Sequence, residues 1–127
     1  MDVPEQLRYS TDHEWVRVTD EGTCVVGITD YAQDALGDVV FVEIPSVGST
    51  VVGGDTVTEV ESTKSVSDIY APIAGTIVEV NEALAEHPER INEDPYGEGW
   101  IFAVEPAETA EVDGLLDADG YRTLIDG

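Results

Sequence analysis

Basic side chains are scarce in this sequence. Of 127 residues, 28 are Asp or Glu and five are Lys or Arg, for a formal net charge of -23, and Lys64 is the one lysine. Neutralising nucleic-acid phosphates takes a patch of Lys and Arg, which so few basic residues cannot build, and the same deficit argues against anionic membranes. Cysteine is almost absent too. Cys24 stands alone, so no disulfide and no dithiol can be made from protein residues, and redox chemistry would require an attached group. His13 and His87 lie far apart with no cysteine cluster near them, so no metal site is expected. No apolar run reaches the length of a bilayer span, and Met1 to Gln6 lacks the basic and then apolar pattern of a signal region. The expectation is a soluble, cytoplasmic protein, monomeric in isolation. Its carboxylates are spread from Asp2 to Asp126 rather than blocked into a tail, which predicts a solvated acidic surface of the kind halophiles use.

What is present fits one mainly β domain spanning 1–127, with a β core over 1–105 and a helical segment over 106–127. Strands are predicted at Trp15–Thr19 and Thr23–Ile28, joined by an Asp20, Glu21, Gly22 turn. Thr29 or Asp30 can cap a short helix over Tyr31–Leu36, with Gly37 as a left-handed terminator. Val39 to Ile44 is nearly continuous in apolar residues and reads as a strand buried on both faces. The segment from Gly75 alternates, Thr76, Val78 and Val80 opposing Ile77 and Glu79, and Asn81 is placed to cap a helix over Glu82–Glu86. Trp100, Phe102 and Val104 make one face of a closing strand. A Pro-x-x-Gly turn followed by an apolar, Thr-containing strand occurs twice, at Pro45 and Pro72, and predicts two similar half-sheets packed face to face. After Pro106, Val112, Leu115, Leu116, Tyr121, Leu124 and Ile125 can dock one or two helices, with Gly114 and Gly120 dividing them. About seven strands with marginal helices make a sandwich or flattened barrel.

Lys64 lies inside TVTEVEST-K-SVSDIYAP, small polar residues flanked by β-formers, which places it at an exposed hairpin tip. An ordinary solvated turn lysine is the plain alternative. Two chemistries distinguish an amine from a guanidinium, Schiff-base formation and acylation. The first requires the ammonium to be destabilised by burial or a neighbouring cation. Glu59, Glu61 and Asp68 are the neighbours here, and they favour the charged form, so covalent attachment of a prosthetic arm is the better reading.

Four segments in order, YSTDHEW from Tyr9, GITDYAQDALGDVVFVEIP from Gly27, VESTKSVSDIYAPIAGTIVEVN from Val60 and INEDPYGEGWIF from Ile91, resemble the glycine cleavage system H proteins. The resemblance covers nearly the whole chain. It separates the sequence from shorter lipoyl domains, which share only the hairpin, and from biotin carriers, which usually have methionine where Thr63 and Ser65 stand. It implies a lipoyl/biotinyl-type β-sandwich, a flattened-barrel hybrid with short peripheral helices and a C-terminal helical tail, without an active site of its own. Lys64 would carry lipoate in amide linkage, attached by a lipoylating enzyme. The partners implied are a pyridoxal-phosphate glycine decarboxylase (P protein), a tetrahydrofolate-dependent aminomethyltransferase (T protein) and dihydrolipoyl dehydrogenase (L protein), the carrier moving an aminomethyl group from the first to the second. A lipoyl donor or relay to other enzymes is the alternative. The cargo would be hydrolysed in open water, so an apolar groove with a carboxylate to pair its amine is expected. In similar proteins the glutamate of the HEW segment lies near this group, which maps to Glu14. Asp68 is the second candidate, His13 is read as structural, and no role is assigned to Ala35.

Overall fold

The computed structural model describes residues 2–126. Among them run nine strands: β1 (Arg8–Tyr9), β2 (Glu14–Val18), β3 (Cys24–Ile28), β4 (Val39–Val42), β5 (Thr50–Val51), β6 (Thr56–Ser62), β7 (Val66–Tyr70), β8 (Gly75–Val80) and β9 (Phe102–Pro106). Helices α1 (Asp30–Leu36), α2 (Arg90–Glu93), α3 (Ala110–Asp113) and α4 (Ala118–Asp126) and a 3-10 turn at Glu82–Ala85 lie between or after them. The fold is mainly β and forms two sheets, one of six strands in the order β1-β2-β3-β9-β8-β5 and one of three in the order β4-β6-β7. Both are open at their edges, so the architecture is a sandwich, with no closed barrel among the described residues.

The main core fills the space between the sheets. Val16, Val26, Ile28, Ile77, Phe102 and Val104 from the large sheet meet Val39, Val42, Val60 and Ile69 from the small one, with Leu84, Ile91 and Ile101 closing an end. A second cluster covers the large sheet's other face, where Trp15 and Tyr9 pack with Val3, Leu7, Ala118 and Tyr121. Successive residues of a strand point to opposite faces. Trp15 and Val16 therefore serve different cores, and Gly27, paired with Trp15 across β2 and β3, leaves room for the indole, because a Cβ there would lie 2.7 Å from the ring.

Several expectations give way to register. Val39–Val42 is buried only at its two ends, and Val40 and Phe41 are 54% and 51% exposed. A shift in the β4–β6 pairing between Val39 and Phe41 breaks the alternation and puts both side chains outside. A similar shift between Ile77 and Glu79 leaves both Val78 and Glu79 exposed beside buried Ile77. The two Pro-x-x-Gly copies do not build one sheet each: β5 pairs antiparallel with β8, Thr50 opposite Thr76, so the copies are neighbours within the large sheet. The closing strand starts at Phe102, and Trp100 joins the Trp15 cluster instead of the main core.

The caps follow side-chain chemistry. Thr29 is the N-cap of α1, its Oγ1 accepting from Ala32 N at 3.2 Å, and Gly37 ends the helix at φ 86°. Asn81 makes no such cap. Its amide donates instead to Glu98 O and Trp100 O, at 2.8 and 2.7 Å. Gly120 lies inside α4 rather than breaking it, because Asp117 Oδ1 accepts from its N–H at 2.8 Å and starts the helix. Val112 and Tyr121 are buried as expected of docked helices, whereas Leu124 stays 40% exposed.

Candidate functional site

Lys64 sits in the tight connection between β6 and β7, with its side chain exposed. Ser62 organises the turn. Its Oγ accepts from Lys64 N at 3.1 Å and Ser65 N at 3.0 Å and donates to Ser65 O at 3.1 Å, a use of small hydroxyls that suits reversals. Thr63 N donates to Asp38 O at 3.0 Å and ties the tip to the α1–β4 connection. The lysine stem lies over Gly37, where a Cβ would meet Cε at 2.8 Å. Gly37 is held in turn by Asn92, whose amide donates to Gly37 O at 2.9 Å and whose Oδ1 accepts from Val39 N at 2.8 Å. Among the described residues no ion pair engages Lys64. The amine is presented on an anchored turn and lacks the burial a Schiff-base nucleophile requires.

Beside this tip a cleft of about 280 Å³ opens between α1 and β7. Ile28, Tyr31, Ala32, Leu36 and Ile69 supply its apolar lining, and Asp12, His13, Ser65, Ser67 and Asp68 its polar groups. Of the two candidate carboxylates, Asp68 is exposed and lines the cleft. Glu14 does not; it is 1% exposed, one layer behind. There Ser10 Oγ donates to Glu14 Oε1 at 2.6 Å and Tyr70 N to Oε2 at 3.3 Å, so Glu14 links β2 to the end of β7. Burial pushes its carboxyl up to about 7, opposed by those two hydrogen bonds and assisted by Asp12.

His13 adopts φ 69°, a left-handed conformation uncommon outside glycine, and turns its half-buried ring onto the cleft and against Tyr31, with ring centroids 4.9 Å apart. Its Nδ1 lies 2.8 Å from Tyr121 Oη, which lies 2.7 Å from Thr29 Oγ1. Burial lowers the affinity of His13 for a proton and pushes the Tyr121 phenol up to about 12, so both shifts favour the uncharged form of this chain of hydrogen bonds. The structural expectation for His13 describes its bond to α4 but omits its place in the cleft. Sequence reasoning also missed Asp12 and the α1 face. That face is signalled by the spacing of Tyr31, Ala32, Ala35 and Leu36, which puts them on one side of a helix. Ala35, without a role on sequence grounds, is among the lining residues.

No helix among the described residues is long and apolar enough to cross a membrane, and no group of three or more His, Cys, Asp or Glu among them is arranged to hold a metal ion.

Residues 7–126 match the family pattern described as glycine cleavage H-protein. A protein of Shewanella sp. (strain ANA-3), named glycine cleavage system H protein, is 54% identical over 98% of this chain and 96% of its own length. One of the same name from Halorhodospira halophila (strain DSM 244 / SL1) is 54% identical over 97% of this chain and 95% of its own. The crystal structure of a glycine cleavage system H protein from Mycobacterium marinum superposes with a TM-score of 0.88 at 45% identity, covering 98% of this chain and all of that one.

Proposed function

The chain belongs to the glycine cleavage H-protein family, and from that premise we propose that it is the lipoyl-bearing carrier of the glycine cleavage system, with lipoate in amide linkage to Lys64. It takes an aminomethyl group from the pyridoxal-phosphate decarboxylase (P protein), delivers it to the tetrahydrofolate-dependent aminomethyltransferase (T protein), and is reoxidised by dihydrolipoyl dehydrogenase (L protein). The observation that carries this reading is the exposed primary amine on an anchored hairpin tip at the mouth of a partly apolar cleft. A lysine amine can be acylated where a guanidinium cannot, and the tip offers it to another enzyme without unfolding anything.

When bound, lipoate supplies a disulfide and dithiol that the single buried Cys24 cannot provide. The chain's own residues supply the rest. Ile28, Tyr31, Ala32, Leu36 and Ile69 keep water from a cleft occupant. Asp68 offers the carboxylate that pairs with a cationic cargo. Glu14 acts from behind, holding β7 at Tyr70 N and so fixing the strand whose stretch from Val66 to Ile69 walls the cleft. Tethering raises the effective concentration of the cargo at each docked partner.

Mass spectrometry of the Lys64 peptide from protein made in its native host is expected to show the lipoyl mass on that residue. Lys64→Arg is expected to fold and melt as the parent does yet support no glycine-dependent CO2 exchange with the decarboxylase. An unmodified native Lys64, or an active arginine variant, overturns the reading. A lipoylated protein inactive with all three partners points instead to the relay role.

A further inference from the structure

A carrier with this much charge should have little reason to display large apolar side chains, yet three cluster at the Lys64 end of the small sheet. Val40, Phe41 and Val66 are each more than half exposed, at 54%, 51% and 57%. Phe41 is opposite Glu61 on β6, and Glu61 is opposite Val66 on β7. Directly opposed residues share a face, so Phe41, Glu61 and Val66 form one outward rung close to the tip that carries Lys64. The next outward rung is acidic: Glu59 opposes Asp68, and Glu43 N donates to Glu59 O at 3.1 Å. The irregularity between Val39 and Phe41 in β4 is what brings Val40 outside beside Phe41. Such irregularities commonly re-aim side chains near functional sites, and exposed apolar patches rimmed by polar groups mark interaction surfaces.

We propose that the Val40–Phe41 bulge and its acidic surround are the docking surface for the enzyme that acylates Lys64, a partner presenting an apolar recess bordered by basic side chains. The inference rests on the carrier reading above. The choice of occupant follows from reach. Enzymes that act on a long attached arm meet its far end and need not cover its base. The acylating enzyme must bring its own catalytic groups to Nζ, a four-carbon stem from the backbone, so it closes over the tip and the rung beside it. There Nζ bonds to the acyl carbon of an activated lipoate, the activating group departs with the bonding pair, and the amine proton passes to a base of that enzyme. Glu43, Glu59, Glu61 and Asp68 favour a cationic rim and give the encounter its direction. Centring the contact on one aromatic side chain fits the way binding energy concentrates at interfaces.

The test uses purified, unlipoylated protein with a lipoate–protein ligase, lipoate and ATP. Phe41→Ser and Val40→Ser remove exposed groups, so both variants should melt as the parent does. Each is expected to raise the KM for the carrier about tenfold with kcat within about twofold, while Val18→Ser, at an exposed valine elsewhere in β2, changes neither. Val66 is left intact because it also lines the cleft. KM values within twofold of the parent for both variants overturn the inference. So does loss of self-association in Phe41→Ser at unchanged KM, which assigns the patch to a second copy. A parent that the ligase does not acylate at Lys64 overturns the carrier reading and this inference together, whereas acylation at unchanged KM overturns only the latter.

Discussion

Glu14 shows how far a residue's chemistry departs from what its letter suggests. In a chain of 28 acidic residues it is the carboxylate that the fold buries almost completely. Removal from water raises its proton affinity from 4.5 to about 7, and a shift of that size corresponds to on the order of 3 kcal/mol. The folded state therefore holds this proton more tightly than the unfolded chain does. The stabilisation is fully present below about pH 4.5 and is lost as pH rises through about 7. Glu14→Gln has no such proton to lose, so the stability of the parent relative to the variant is expected to fall as pH rises from 4.5 to 7.5. Urea midpoints measured across that range check it, and parallel curves would show that the buried carboxyl does not titrate there. The sequence located Lys64 at its hairpin tip because uniqueness, β-forming flanks and small polar neighbours all read locally. It could not tell that Glu14 lies behind the cleft while Asp68 lines it, because both assignments depend on how β2, β7 and α1 pack together.

At the scale of elements, what was legible in the sequence is what local chemistry decides. Thr29, Gly37 and the β6–β7 reversal follow from capping and turn preferences. The exposure of Val40 and Phe41, the doubled exposure of Val78 and Glu79, and the pairing of the two Pro-x-x-Gly copies follow from inter-strand register, which alternation within one strand does not report. Asn81 departs from its expected capping role for a related reason: its amide finds two carbonyls nearly twenty residues away. The link between α1 and α4 is also non-local and gives a sharp expectation. Thr29 Oγ1 caps α1 at Ala32 N and also meets Tyr121 Oη, in a fully buried setting. Thr29→Val keeps the shape but deletes the cap and leaves the phenol with His13 alone, so a loss of about 1–2 kcal/mol is expected. Thr29→Ser, which retains the hydroxyl, should recover most of it in chemical denaturation. A valine variant as stable as the parent would show that these two hydrogen bonds contribute little net stability.

For the molecule as a whole, charge dominates. A net -23 repels itself across the surface and favours expansion, and the ion pairs made by arginine among the described residues are few and surface-exposed, at Arg90–Glu98, Arg122–Glu5 and Arg122–Asp119. Added salt acts on attraction and repulsion with opposite consequences for stability. It weakens attractive pairs of this exposed kind, each worth about 1 kcal/mol or less, and it screens the repulsion, the screening length falling from about 10 Å at 0.1 M to about 3 Å at 1 M. With five basic residues against 28 acidic ones, repulsion outweighs attraction. The melting temperature is therefore expected to rise by several degrees from low to molar chloride at pH 7.5. Chloride is the salt to use, because sulfate would also strengthen apolar burial. Glu14→Gln should show the same rise, since the effect belongs to the distributed surface and not to one buried carboxyl. A melting temperature flat across that range would mean that the carboxylates are already far enough apart, and well enough hydrated, for their repulsion to cost the fold little.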